Sequence, residues 1–316
     1  MLEKLEVVRG ILYGFDYSAF FSIEVKDKLS LILQAEDFVL GVEDGKNRFI
    51  REVMLLSQAY ALAKPDPTAL DNAEEIAFFQ AVKARLTKFE VGDANKNDNY
   101  DSVIRNIVNF AVISEQVVDI FNAAGLENPE ISVLSEEFLK EIEGMKYKNV
   151  AIELLKKLLA DEIKVRFKHN LTKSKSLMEM LDNAIKRYQN NFISTVEIID
   201  FLIHSVAHEI KSADKRAEDI GLSEEELAFY DALATNDSAV KVLEDEQLRV
   251  IAREIAEKVR GSATIDWTIK ESVRAKIMVL VRRVLNSHGY PPDKQPAAIE
   301  LVMKQAENLA DMWAGN

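Results

Sequence analysis

Cysteine is absent from this 316-residue chain, which excludes disulfide staples, cysteine ligands to zinc and a thiol nucleophile, and suits a reducing compartment. Long apolar runs are also missing. The VLV at 279–281 is typical, and a membrane-spanning helix needs roughly 18 apolar residues. The opening MLEKLEVVRG mixes charge with apolar residues and lacks the basic start and apolar middle of a secretory signal. A cytoplasmic protein without a membrane span is expected. Glycine (11) and proline (6) are scarce, so little in the chain interrupts a helix. Net positive charge is lacking too. The balance of −13 argues against indiscriminate affinity for nucleic acid.

What is present is helical periodicity. Apolar residues recur at three- and four-residue spacing almost throughout, and no stretch alternates as a strand would. The spacing predicts helices over 2–12, 24–40, 45–63, 68–89, 100–122, 135–143 and 149–171. Lys64-Pro65-Asp66-Pro67 separates two of them, because each proline removes a donor and restricts its predecessor. The polar run VGDANKNDN at 91–99 reads as a loop. Ser135 is the expected N-cap of the 135–143 helix and Gly144 its stop. A long helix is expected over 175–219, stopped by Gly221. Its stripe is Leu181, Ile185, Tyr188, Phe192, Val196, Ile199, Ile203, Val206 and Ile210.

Further on, capping boxes at Ser223–Glu226 and Thr268–Glu271 open two more helices. The second carries Ile269, Val273, Ile277, Val281 and Val284 and stops near His288-Gly289; a last helix starts at Pro291-Pro292 and runs to Trp313. The expected fold is all-α, an irregular multi-helix bundle of about ten helices braced by the long one. If the chain divides, it does so into lobes 1–145 and 146–316.

Local chemistry is thin. The turn Gly41-Val-Glu-Asp-Gly45-Lys46 is one residue short of a phosphate loop, lacks the following hydroxyl and follows a helix, so it reads as a connection. His204 and His208 have metal-binding spacing, but Ser205 stands where a zincin has its glutamate and no third ligand is visible. Glu162-Ile163-Lys164 and Glu209-Ile210-Lys211 echo half of a nuclease site that needs adjacent strands, yet both sit in predicted helices. No catalytic, metal or cofactor residue is assigned.

Charge is uneven along the chain. Residues 146–187 hold eleven Lys/Arg against five Asp/Glu, a net of +6, and residues 212–247 hold three against eleven, a net of −8. Within the basic part, Lys164, Arg166, Lys168, Lys173 and Lys175 are the candidate contacts to nucleic acid or a partner. Basic residues closing a helix satisfy its dipole equally well. A second basic set, Arg274, Lys276, Arg282 and Arg283, flanks an apolar stripe and suits pairing with the acidic band. The aromatic group Tyr13, Phe15, Tyr17, Phe20 and Phe21 either anchors its own core or seals against a preceding domain.

Longer blocks carry a resemblance. GLSEEELAFYDALA (221–234), VLEDEQLRVIAREIAEKVR (242–260), TIDWTIKESVRAK (264–276) and VRRVLNSHGYPPDKQ (281–295) look like the end of the restriction subunit of type I restriction–modification enzymes. YGFDYSAFFS (13–22), VEDGKNRF (42–49), FFQAVKARL (78–86), VVDIFNAAGL (117–126), VAIELLKKLLADEIK (150–164) and MLDNAIKRYQN (180–190) are similar to it as well. Ile277-Met278 departs from the pattern, where a further basic residue is expected.

The resemblance implies a helical C-terminal region, with a nuclease and two ATP- and Mg²⁺-dependent motor domains upstream. It implies docking of that translocase and endonuclease onto the modification (methyltransferase) and specificity subunits, with double-stranded DNA in the assembled complex. No activity and no cofactor are expected of this region itself; the parent subunit would be an ATP-dependent type I site-specific deoxyribonuclease. The alternative is a freestanding helical scaffold whose acidic 212–247 band binds a basic partner.

Overall fold

Helix dominates the computed structural model, which describes residues 1–23, 25–64, 66–88, 134–262 and 271–314. Among these residues there are fourteen α-helices and no strand. The all-α class holds, and the count exceeds the expected number of about ten because the predicted helices 68–89 and 175–219 are broken and Asp237–Ser262 forms a further one. The predicted helix 100–122, the loop 91–99 and the Thr268 capping box lie outside the described residues. The chain divides into two units, Met1–Leu158 with Ala184–Ile203, and Leu159–Asn183 with His204–Asn316. Those bounds differ from a division at 145, since packing rather than the local break at Gly144 decides which residues group together.

In the first unit α1 (Leu2–Ile11), α2 (Val25–Gly41), α3 (Gly45–Ala63), α4 (Pro67–Asp71) and α5 (Ala73–Lys88) surround one apolar core. Phe20, from a short 3₁₀ turn at Ser18–Phe21, is fully buried and lies 4.7 Å from Phe78 between ring centroids. Tyr17 stacks on the same Phe78 at 5.1 Å and donates to Glu75, which Arg9 also grips through two nitrogens at 2.6 and 2.9 Å. Phe15, Tyr17 and Phe20 are therefore part of this unit's own core, whereas Tyr13 is 89% and Phe21 42% exposed. The single helix predicted over 68–89 is two: Asp66 caps α4 by accepting from the Thr68 amide, and Asn72 ends it. Two charged contacts tie distant parts of this unit together. Arg85 meets Glu36 at 2.6 Å with both side chains buried. Asp37 accepts the backbone N–H of Asn149 at 2.8 Å and of Val150 at 3.1 Å. Those amides open α7 (Lys148–Arg166), so a residue of α2 caps a helix more than a hundred positions away. Before it, α6 (Glu136–Gly144) starts as expected, with Ser135 accepting from the Phe138 amide.

The expected bracing helix does not exist as one piece. α8 (Leu171–Gln189) stops in a turn where Asn191 is left-handed at φ 58°. Phe192 N–H returns to Arg187 O and Asn191 N–H to Tyr188 O, both at 2.9 Å, the Schellman pattern with asparagine in place of glycine. Ser194 and Glu197 then form a capping box that opens α9 (Thr195–Asp200). A π-helical turn, Phe201–Val206, leads into α10 (Ala207–Asp219). Phe192 and Val196, assigned to the buried stripe, are 76% and 77% exposed. The preceding helix likewise ends at Arg166 rather than 171.

The second unit is built by α11 (Glu224–Ala234), α12 (Asp237–Ser262), α13 (Glu271–Ser287) and α14 (Gln295–Ala314). Their stripes, among them Phe229, Leu233, Ile251, Ile255, Ile277, Val281, Val284 and Val302, make a second core. The Ser223–Glu226 box forms as read. Gly221 and Gly289, at φ 66° and 71°, end their helices in Schellman turns that residues with a Cβ adopt only under strain. The last helix begins at Gln295, after a turn over 291–294. α12 is interrupted at Glu244, whose backbone (φ 59°, ψ 164°) lies where glycine is the usual occupant.

Candidate functional site

The basic residues 164–175 differ in their surroundings. Arg166 is drawn to Glu162 one turn back at 2.5 Å, and Lys175, 77% exposed, faces Glu179 at 3.7 Å. Lys173 reaches across to Glu209 at 2.6 Å and holds that carboxyl below its usual range. Lys164 and Lys168 are exposed, and among the described residues no carboxylate lies within ion-pair distance of either.

Arg166 and Lys173 also line a cleft of about 100 Å³ with His169, Asn170, Arg216 and Asp231, all within the second unit. Asn170 begins α8: its Oδ1 accepts from the Lys173 amide at 3.0 Å and its Nδ2 donates to Asp231 at 2.7 Å. Asp231, which Arg216 approaches at 3.1 Å, is buried, and burial pushes its carboxyl above the ordinary value against the pull of that arginine. Gln305 closes the ring, accepting from the Leu171 amide and donating to His169 O at 2.6 Å. Arg166, Lys173 and Arg216 each have an acid within ion-pair distance, at Glu162, Glu209 and Asp231. Sequence reading missed Asn170, Arg216 and Asp231. The signal for Asp231 was present, an acid inside the otherwise apolar AFYDALA, which in a buried helix requires a partner.

The other motifs resolve as connections or helix surface. His204 and His208 are exposed, the first in the π turn and the second in the α-helix that follows it. Among the described residues no three potential ligands converge on a metal position. Glu162 and Glu209 are spoken for by Arg166 and Lys173, and the isoleucines of both triplets are buried. The residues at 41–46 do not fit a nucleotide. Gly45 is required because a Cβ there would stand 2.1 Å from Val39 O, and Lys46 pairs with Glu153 at 2.8 Å. In the acidic band, Asp231 meets Arg216, Asp245 meets Arg249 and Tyr230, and Glu225 meets Arg260 at 3.7 Å. Of the second basic set, Arg274 pairs with Glu307 at 2.9 Å rather than with that band. Ile277, standing where a basic residue was expected, is fully buried in the core. No described helix is long and apolar enough to cross a membrane.

Comparison with known proteins supplies what this surface lacks. Residues 1–312 match the family described as type I restriction enzyme HindI endonuclease subunit-like, C-terminal. The chain is 39% identical over 273 residues, 86% of its length, to the type I restriction enzyme HindI endonuclease subunit of Haemophilus influenzae. It is 30% identical over 291 residues, 92% of its length, to a putative type I restriction enzyme MjaIXP endonuclease subunit of Methanocaldococcus jannaschii. The matches cover 26% and 28% of those proteins, so the chain spans about a quarter of the length of the curated relatives it matches. No solved structure matches it significantly. A helical body with no converging catalytic groups among its described residues, matched almost end to end by that model, belongs to the C-terminal family of HindI-like type I restriction enzyme endonuclease subunits.

Proposed function

We propose that this chain is the assembly module of a type I restriction enzyme, docking the ATP-dependent translocase and endonuclease onto the modification and specificity subunits in the cytoplasm. The observation that carries this reading is the family match over residues 1–312. The charged side chains Arg166, Lys173 and Arg216 support it, because each pairs with an acid, and among the described residues no three potential metal ligands gather. ATP and Mg²⁺ belong, on this reading, to motor domains outside this region, which holds no cofactor and performs no hydrolysis alone. Double-stranded DNA is a partner of the assembled complex, with Lys164, Arg166, Lys168, Lys173 and Lys175 as its proposed contacts here. Lys164 and Lys168 are the stronger candidates, since no acid faces them among the described residues.

The test is a pull-down of the purified 316-residue chain with the modification–specificity core, alongside ATPase and nuclease assays. Association without hydrolysis is expected. A folded chain that fails to associate, or that hydrolyses either substrate, overturns the reading. Charge reversal at Lys168, Lys173 and Lys175 in the complete enzyme tests the DNA contact, and an unchanged salt dependence of DNA binding removes it. The alternative is a freestanding scaffold whose acidic 212–247 band binds a basic partner, and the family match over residues 1–312 favours the docking reading over it.

A further inference from the structure

In a chain whose net charge is −13, one groove is walled by cations. It is an open groove of about 740 Å³ between α12 and α13, with Lys258, Lys276 and Arg283 around Ala275, Val279 and Leu280. Along α13 the positions 276, 279, 280 and 283 fall at i, i+3, i+4 and i+7, so two cations bracket two apolar side chains on one face. Seven residues of helix set those cations about 10 Å apart. Ile277, Val281, Val284 and Leu285 hold the opposite stripe in the core, which leaves Val279 45% exposed. Lys258 engages Glu254 at 2.5 Å, and that carboxylate also takes His288 Nε2 at 2.6 Å. Lys276 and Arg283 are exposed and have no carboxylate within ion-pair distance among the described residues.

Two cations that no described carboxylate answers, flanking an apolar floor, specify the occupant. A phosphate backbone would answer the charges but leave Val279 and Leu280 facing polar oxygen. A helix, about 10–12 Å across with its side chains, can lay an apolar stripe on that floor while its acidic residues reach the rim. We propose that this groove receives an acidic amphipathic helix presented by the modification–specificity core, a proposal that rests on the docking reading above.

The experiment measures binding of the 316-residue chain to the purified modification–specificity core, and in parallel to a DNA duplex, at low and high salt. Variants are the double charge reversal Lys276→Glu/Arg283→Glu, the milder Lys276→Gln/Arg283→Gln, and Val279→Ser. All replace exposed side chains, and thermal unfolding checks that each remains folded. The double reversal is expected to lose about tenfold or more in affinity for the core, with smaller losses for the other two. Wild-type affinity should fall with salt while that of the double reversal does not. Unchanged core binding by all three variants overturns the groove and leaves the docking reading intact. Loss confined to duplex binding overturns the groove in favour of nucleic acid. A wild-type chain that ignores the core overturns both.

Discussion

Replacing Arg85 by methionine should be the most damaging change of a single charge in the first unit. The guanidinium sits 2.6 Å from Glu36, with relative exposures of 2% and 0% for the two side chains. Methionine keeps much of the volume and removes the charge, leaving a carboxylate without its counter-ion in an apolar core. Breaking a buried pair in this way costs about 3–5 kcal/mol, more than the pair itself is worth. Burial already pushes the Glu36 carboxyl above its ordinary value, with Arg85 pulling the other way. Without Arg85 the shift grows. A carboxyl whose folded pKa is raised favours the native state below its unfolded pKa and loses that contribution as pH climbs through the folded pKa. The stability gap between wild type and Arg85→Met should therefore be widest near neutrality and narrow on acidification, as Glu36 takes up a proton. Urea unfolding at about pH 7.5 and about pH 5.5 measures it. The double variant Glu36→Leu/Arg85→Met should recover most of the loss, because an apolar pair needs no desolvation. A cost below about 1 kcal/mol, or a gap that stays constant with pH, would refute the reasoning.

Asp37→Ala removes the acceptor from the first amides of α7 and should cost about 2 kcal/mol, read from urea midpoints, with amide exchange rising at Asn149 and Val150. Phe192→Ser should change stability by less than about 0.5 kcal/mol, since the ring is 76% exposed. Phe20→Ala should cost about 3–5 kcal/mol. If the two phenylalanines prove equally costly, the break between α8 and α9 is wrong and the continuous helix returns.

The sequence alone settled the class, since apolar residues three and four apart leave nothing for a strand to use, and it settled the helix ends that carry local chemistry. Gly221, Gly289, Ser135 and the Ser223 box end or open helices where they were read, because a left-handed turn or a capped amide depends on neighbouring residues only. The break at 190–194 was legible too: Asn191 can adopt the left-handed turn, and Ser194-Thr-Val-Glu197 spells a capping box. A long apolar stripe running across it concealed the punctuation. Only tertiary structure could decide which charges meet. Asp37 caps a helix that starts at Lys148, and Lys173, Asn170 and Arg216 find Glu209 and Asp231 across long stretches of chain. Charge counts along the sequence suggested a basic patch and an acidic band. In the fold Arg166, Lys173 and Lys175 meet Glu162, Glu209 and Glu179 rather than that band, because an ion pair depends on separation in space and the sequence gives only separation along the chain.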